Sequence, residues 1–548
     1  MQDSGFMETI YHGRLDQSAF YAFQNPLDRP RVDRILTDFQ AIMKDFPAAT
    51  IEELGRVPDE MLKRLAAAGL FGLTIPEAYG GAGLNLWEYM HTVERMAGYD
   101  LSAALVSLAH LSIGTKGIVL FGTDQQKERY LPAAARGQMI FSYALTEPKI
   151  GSDAKHIETT AVLGEDGEHY LLHGRKTYIT NANYAGGLTV FAQMDPKRPG
   201  RLGAFIVETA WDGVKIGKDM PKMGLKASST AAIQFDNVRV PKANLLGNPG
   251  DGFKIAMTIL NYGRLGLGAA SVGMMERSAE DMVKRARTRI QFGVPIASFP
   301  LIQEKIARAK VHAFVSRAMN TFAAALLNDD PIRNVAIESS HCKLFGTTRA
   351  WDTLYDALQV AGGAGYLGTN PYEKRMRDFR VTTIFEGTTE IHSIYPALFA
   401  FRRMGREAAA LKGNRRGRLA ALWDFVSCRM DWPLAYRDKT MKRAARLARA
   451  NARTIRWMLL LGPVLHKKDL AKREFYLRRL STLSLYTYGI LAVLAKIQED
   501  HRIGRNDEQG PILLEYFLDE AREARRINRS YRESARERIT SAIADPMK

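Results

Sequence analysis

Cysteine is nearly absent: 548 residues carry only Cys342 and Cys428, far apart and with no ligand-like spacing around them. That excludes a disulfide framework and a zinc cluster, so no metal is expected, and it fits a reducing compartment. No run of about 20 apolar residues occurs, and the best stretch, Leu483 to Ala495, suits a buried helix rather than a membrane span. The opening MQDSGFMETIYHGRLDQ carries acids and no apolar core segment. It resembles neither a secretory signal nor an Arg-rich transit peptide, which gives the expectation of a cytoplasmic protein. A Walker A loop, an H-E-x-x-H helix and a G-x-S-x-G elbow are all missing, which leaves hydrolase chemistry little support. Gly363-Ala-Gly365-Tyr-Leu-Gly368 does match a dinucleotide-binding fingerprint. The residues before it, DTLYDALQV, read as a helix where that fingerprint needs a strand.

What is present is a long chain, 46% apolar, too large for one core. Its net charge of +18 is unevenly placed: residues 401–548 hold 33 Lys and Arg against 17 Asp and Glu. The first 400 residues are nearly neutral, so the tail reads as a separate basic module. After a 1–28 extension, 29–138 shows apolar residues at three- and four-residue spacing, as in VDRILTDFQAIMKDF, and reads as helical. From 139 to 245 short alternating runs such as HYLLHGRKTYIT and AAIQFDNVRV predict a β-barrel or sandwich. Helical patterns return over 246–404, a Gly/Arg-rich linker follows over 405–418, and 419–548 reads as further basic helices. The expected class is α+β, mostly α.

Several segments fall in a telling order: TEPKIGSD (146–153), RIQFG (289–293), QVAGGAGY and RDFRVTTIFEGTTEI. Together they resemble the signatures of acyl-CoA dehydrogenases, over roughly residues 30–400. MGLKASSTAAIQFDNVRVPKANLLG and GFKIAMTILNYGR are most similar to the very-long-chain branch, which carries an extra C-terminal helical domain.

That resemblance implies FAD-dependent oxidation of an acyl-CoA to its trans-2-enoyl product, with electrons passed to electron-transfer flavoprotein. The reaction needs a base for the α-proton, an acceptor for the β-hydride and a donor to the thioester oxygen. By position in FEGT the base is Glu386, with Gly387 allowing close approach of substrate. Some relatives place the base immediately before the Arg of the segment equivalent to NYGR; here that residue is Gly263, and Asn261 and Arg264 would line the substrate site. The flavin is expected on Tyr143, Leu145, Thr146, Ser152, Tyr178, Ile179 and Thr180, with Ser152 also meeting substrate. Arg289, Phe292, Gln359, Gly362 and Gly363 would hold the pyrophosphate and adenine across a subunit interface, which implies a homo-oligomer, at least a dimer. Thr388 and Glu390 would touch the cofactor's far end, although many relatives have Gln where Glu390 and Pro300 stand.

Gly114 and Gly117 resemble glycines of the very-long-chain branch; two helix glycines so close together point to an open channel for a long acyl chain, which makes them substrate-binding and the substrate long-chain, with close helix packing as the rival reading. Arg443, Arg446, Arg449, Arg453 and Arg456 recur at helical spacing with Trp457 among them, a pattern suited to an anionic membrane surface. A solvated bundle face and a DNA-binding domain like that of alkylation-response flavoproteins are the rival readings of that helix. An acyl-CoA oxidase is the rival chemistry.

Overall fold

The computed structural model describes residues 5–20, 29–195, 197, 200–410, 432, 434, 436–505 and 507–544. A first helix, α1 (Phe6–Tyr11), precedes the N-terminal helices α2 (Arg29–Asp45), α3 (Leu86–Tyr99) and α4 (Leu101–Ala109). The predicted spacing holds in α2, where Val32, Leu36, Phe39 and Met43 form the buried stripe. Asn85 and Glu88 cap α3 reciprocally, each side chain accepting the other's backbone N–H at 3.0 and 2.8 Å. Beyond α4 the chain makes a π turn, His110–Gly114, before helix Lys116–Phe121.

The middle region is an eight-stranded, mostly antiparallel sheet with its own core. Its strands are β1 (Ile140–Ala144), β2 (Thr160–Leu163), β3 (His169–Thr180), β4 (Ala185–Gln193), β5 (Leu202–Glu208), β6 (Val214–Ile216), β7 (Thr230–Pro241) and β8 (Leu245–Gly250). The order is β6-β7-β3-β2-β4-β5-β8, with β1 parallel to β4. Alternation is visible in β7, which buries Ile233, Phe235, Val238 and Val240. The sheet runs to Gly250, past the predicted boundary at 245.

A bundle of α5 (Gly252–Thr288), α6 (Pro300–Asp329), α7 (Ala336–Ala361), α8 (Pro371–Arg380) and α9 (Thr389–Ala410) follows. The hairpin β9 (Ile290–Gln291) and β10 (Val294–Pro295) lies between α5 and α6. The G-x-G-x-x-G match sits just after α7, so helix and not strand precedes it. Residues 405–410 of the expected linker continue α9, and the rest of it lies outside the described residues.

The tail folds as α10 (Lys439–His466), α11 (Glu474–Arg502), α12 (Gly510–Asn528) and α13 (Ala535–Ala544). It is helical as expected, but it is not a detached module. Helix α11, apolar and long enough to span a bilayer by composition, is mostly buried inside the protein. His341 meets Ser484 at 2.8 Å, the Tyr488 hydroxyl donates to the Met319 carbonyl at 2.8 Å, and His312 meets Glu520 at 2.9 Å. These bonds and one continuous core join the tail to the bundle. Nor is the arginine stripe uniformly exposed. Arg443, Arg446, Arg453 and Trp457 face outward, whereas Arg456 is buried and Arg449 donates to the carbonyls of Trp432 and Leu434.

The extension also departs from expectation. FMETIY is a core segment: Phe6, Met7, Ile10 and Tyr11 are fully buried. The Met7 amide donates to Glu338 at 2.6 Å, Glu8 pairs with Arg403 at 2.7 Å, and the Trp432 indole donates to the Gly13 carbonyl.

Candidate active site

The bundle and the sheet meet at a cavity of about 680 Å³. Seven of the predicted residues converge on it: Thr146, Ser152, Tyr178, Thr180, Glu386, Gly387 and Thr388. The strand supplying Tyr178 is irregular there, with a register shift between Lys176 and Ile179 and Tyr178 at φ +57°. Such a bulge re-aims a side chain, and it leaves the Tyr178 ring on the cavity wall rather than in the sheet core. The Thr177 amide donates to the Thr146 carbonyl, and buried Lys176 donates to Leu145 and pairs with Glu147. Both tie the TEP turn to β3.

Leu145 and Ile179 do not present side chains to the cavity; both are core residues. Tyr143 lies outside the cavity wall, its hydroxyl donating to the Ala256 carbonyl at 3.2 Å. Asn261 and Arg264 are buried on α5, outside the lining, with Asn261 accepting from Ser339 at 2.9 Å and Arg264 lying over the Tyr395 ring. Gly114 and Gly117 are accounted for by close packing. A Cβ on Gly114 would come within 2.4 Å of the Phe141 carbonyl oxygen, and one on Gly117 within 3.1 Å of Ile259. Neither lines the cavity, so the open-channel reading of these glycines is not supported.

Glu386 sits at the base of this site in a left-handed backbone conformation, φ +57°, followed by Gly387 at φ +98°. Its carboxylate oxygen Oε2 is buried and has no hydrogen-bond partner. It occupies space that Gly263 leaves open: a Cβ on Gly263 would come within 2.9 Å of that oxygen. Burial raises the proton affinity of Glu386 to about 7, against the opposing pull of Arg264 and Lys343. A carboxylate so placed has the proton affinity that general-base chemistry near neutrality requires.

The pyrophosphate and adenine set lies apart. Arg289 ends α5, Phe292 at φ +51° caps the β9–β10 hairpin and is 94% exposed, and Gln359, Gly362 and Gly363 are exposed at the end of α7. Glu390, on the first turn of α9, is exposed and not in the lining.

Sequence reading missed the loop Met220–Leu225 and Arg377 and Arg380 of α8, all in the cavity wall. The loop is pinned where the Leu225 amide donates to Asp378 at 2.6 Å, and Lys374 braces Asp378 from the other side. Lys343 and His392, described below, were also missed. MGLK and RDFR were visible as signatures, yet spacing alone gave their residues no roles.

Family models for the acyl-CoA dehydrogenase N-terminal, middle and C-terminal domains match residues 39–138, 142–238 and 250–395. The chain is 35% identical to a mitochondrial very long-chain specific acyl-CoA dehydrogenase of Bos taurus, over 91% of this chain and 77% of that one. It is 40% identical to an acyl-CoA dehydrogenase of Bacillus subtilis, over 64% of this chain and 91% of that one. A crystal structure of an acyl-CoA dehydrogenase complexed with FAD from Bacillus anthracis superposes with a TM-score of 0.76, at 27% identity, covering 99% and 91% of the two chains. On the three domain matches, the long bovine alignment and the shared fold, this chain belongs to the acyl-CoA dehydrogenase family of oxidoreductases.

Proposed function

We propose that the chain oxidises a long-chain acyl-CoA to its trans-2-enoyl product, with Glu386 taking the α-proton, FAD as the cofactor and electron-transfer flavoprotein as the acceptor. The carrying observation is the enclosed, unpartnered Glu386 carboxylate, with its raised proton affinity, on the wall of the cavity.

The cavity suits a flavin. Hydroxyls of Thr146, Ser152 and Thr180 stand beside the apolar faces of Leu105, Met220 and Ile384, a pairing that a flat ring with one polar edge requires. FAD bound there would supply the acceptor for the β-hydride. The protein's own work is to place the thioester, exclude water and remove one proton. The Glu386 backbone N–H supports the thioester oxygen in this reading, and charge developing there is best held by fixed donors in a dry site. The long-chain preference is drawn from the very long-chain relatives, whose alignment covers 91% of this chain and so reaches into the C-terminal helices.

Arg289, Phe292 and Gln359, the residues proposed for the cofactor's pyrophosphate and adenine, are exposed on the outer surface. We infer that a second copy of the chain brings those residues to the first copy's cofactor, which makes the working unit at least a dimer.

Anaerobic titration of the flavin-loaded protein with acyl-CoAs of increasing length tests the activity. Bleaching of the flavin spectrum is expected, strongest with long chains and faster as pH rises through about 7, where Glu386 ionises. Glu386→Gln should still bind acyl-CoA but bleach at least about 10²-fold more slowly. A turnover peak at butyryl-CoA would sink the chain-length reading, and normal bleaching by Glu386→Gln would remove the base.

A further inference from the structure

The turn that carries Glu386 combines two left-handed residues, one of them not glycine, and such a turn persists only when its surroundings over-determine it. Two buried side chains hold it. Lys343 of α7 donates its ammonium to the Gly387 carbonyl at 2.6 Å. His392 of α9 meets the Glu386 carbonyl through Nε2 at 3.0 Å and Ser340 of α7 through Nδ1 at 2.8 Å. A carbonyl only accepts, so Nε2 carries the proton; burial, with Arg264 and Lys343 nearby, keeps the imidazole neutral, so Nδ1 accepts from the Ser340 hydroxyl. Gly387 can be nothing larger, since a Cβ there would lie 2.6 Å from His392 Nε2.

Lys343 is fully buried, and the group it donates to, the Gly387 carbonyl, is neutral. Burial lowers the proton affinity of Lys343 to about 7, against the pull of Glu386 and Glu390, so the lysine keeps its charge only up to the range in which Glu386 itself ionises. We propose that Lys343 is a positioning residue for the catalytic base: it fixes the Glu386–Gly387 turn through the Gly387 carbonyl and, when protonated, places a positive charge in the field of the Glu386 carboxylate. The inference rests on the reading of Glu386 as that base.

The charged and titratable groups around the carboxylate are few. Arg264 comes from α5, Lys343 from α7, His392 and Glu390 from α9, and Tyr143 from β1. Arg264 and Lys343 both favour ionised Glu386. Neutral His392 adds no charge, and Glu390 acts through Lys343. Of the two cations that favour ionised Glu386, removing Lys343 leaves Arg264.

Flavin-loaded protein, Lys343→Met, Lys343→Gln and Lys343→Arg are compared by rapid-mixing anaerobic reduction across pH, with acyl-CoA affinity and flavin content measured alongside. Loss of the cation should raise the pH at which the base ionises. The acid limb of the reduction rate is thus expected to move up by about one pH unit in Lys343→Met and Lys343→Gln. The maximal rate should fall in Lys343→Met with little change in acyl-CoA affinity, and Lys343→Arg should keep the native limb. An unmoved limb in Lys343→Gln, with or without a slower rate, overturns the inference, because a purely structural lysine would leave the limb in place. Should Lys343→Met fail to hold flavin, Lys343→Gln, which retains a donor, decides alone. Glu386→Gln separates the two claims. If it still bleaches, the base assignment has failed; if it does not and the Lys343 limb is unmoved, only the positioning role has failed.

Discussion

At the scale of single residues, Glu386 and Gly263 form a reciprocal pair. Burial lifts the carboxyl toward neutrality while two cations keep it ionisable, and the missing Cβ at Gly263 gives it room. Gly263→Ala would place a carbon 2.9 Å from both Glu386 Oε2 and the Ile113 side chain. The carboxylate must then move by a few tenths of an ångström or more. We expect the rate of flavin reduction to fall about 10-fold or more with acyl-CoA affinity nearly unchanged, since small misplacements of a base are costly. Stopped-flow reduction beside an equilibrium binding measurement checks this; a native rate would mean the carboxylate has slack. Glu386 was legible because it sits inside a long motif. Lys343 and His392 were not, because a lone Lys or His on an amphipathic helix carries no spacing signal, and their role exists only once α7 and α9 meet the turn.

At the scale of elements, periodicity foretold most of the architecture. Alternation in β3 and β7 and the three- and four-residue spacing in α2 translate directly into buried faces. The six residues of α1 are too few for a period to show, and the acids around them masked a segment that is wholly core. Its docking rests on Glu338, which burial pushes up to about 7 while the Met7 amide donates to it. A carboxyl whose folded value lies above its unfolded value binds more protons in the native state between those values. Its contribution to stability therefore falls as pH rises from about 4.5 to about 7. Glu338→Gln keeps an acceptor without the charge. It should raise stability at pH 8 by on the order of 1–3 kcal/mol and much less at pH 5. Denaturant melts at the two pH values test it, and an equal effect at both would contradict the buried-charge explanation.

At the scale of the whole molecule, large apolar side chains are exposed beside the residues proposed to hold the pyrophosphate and adenine. Phe292 is 94% and Tyr366 80% exposed, with Ile290 and Leu367 also open. Arg285 of α5 donates to the Ala361 carbonyl at the end of α7, which ties the two neighbourhoods together. A second copy covering them would explain both the exposure and the incomplete cofactor site. Sedimentation equilibrium should give a dimer or larger. Phe292→Asp should weaken that association by about 1–4 kcal/mol and loosen the flavin. A native monomer that retains stoichiometric flavin would refute the shared site.

The burial of α1 also has a temporal side. Met7 finds Glu338 331 positions later, and Gly13 finds Trp432 419 positions later. During synthesis at about 5–20 residues per second, Gly13 waits roughly 20–80 s for Trp432. The apolar side chains of α1 are thus sheltered only after residues 331 or more positions downstream have been made. Emergence of these distant partners, rather than local helix formation, therefore sets when this aggregation-prone surface is covered.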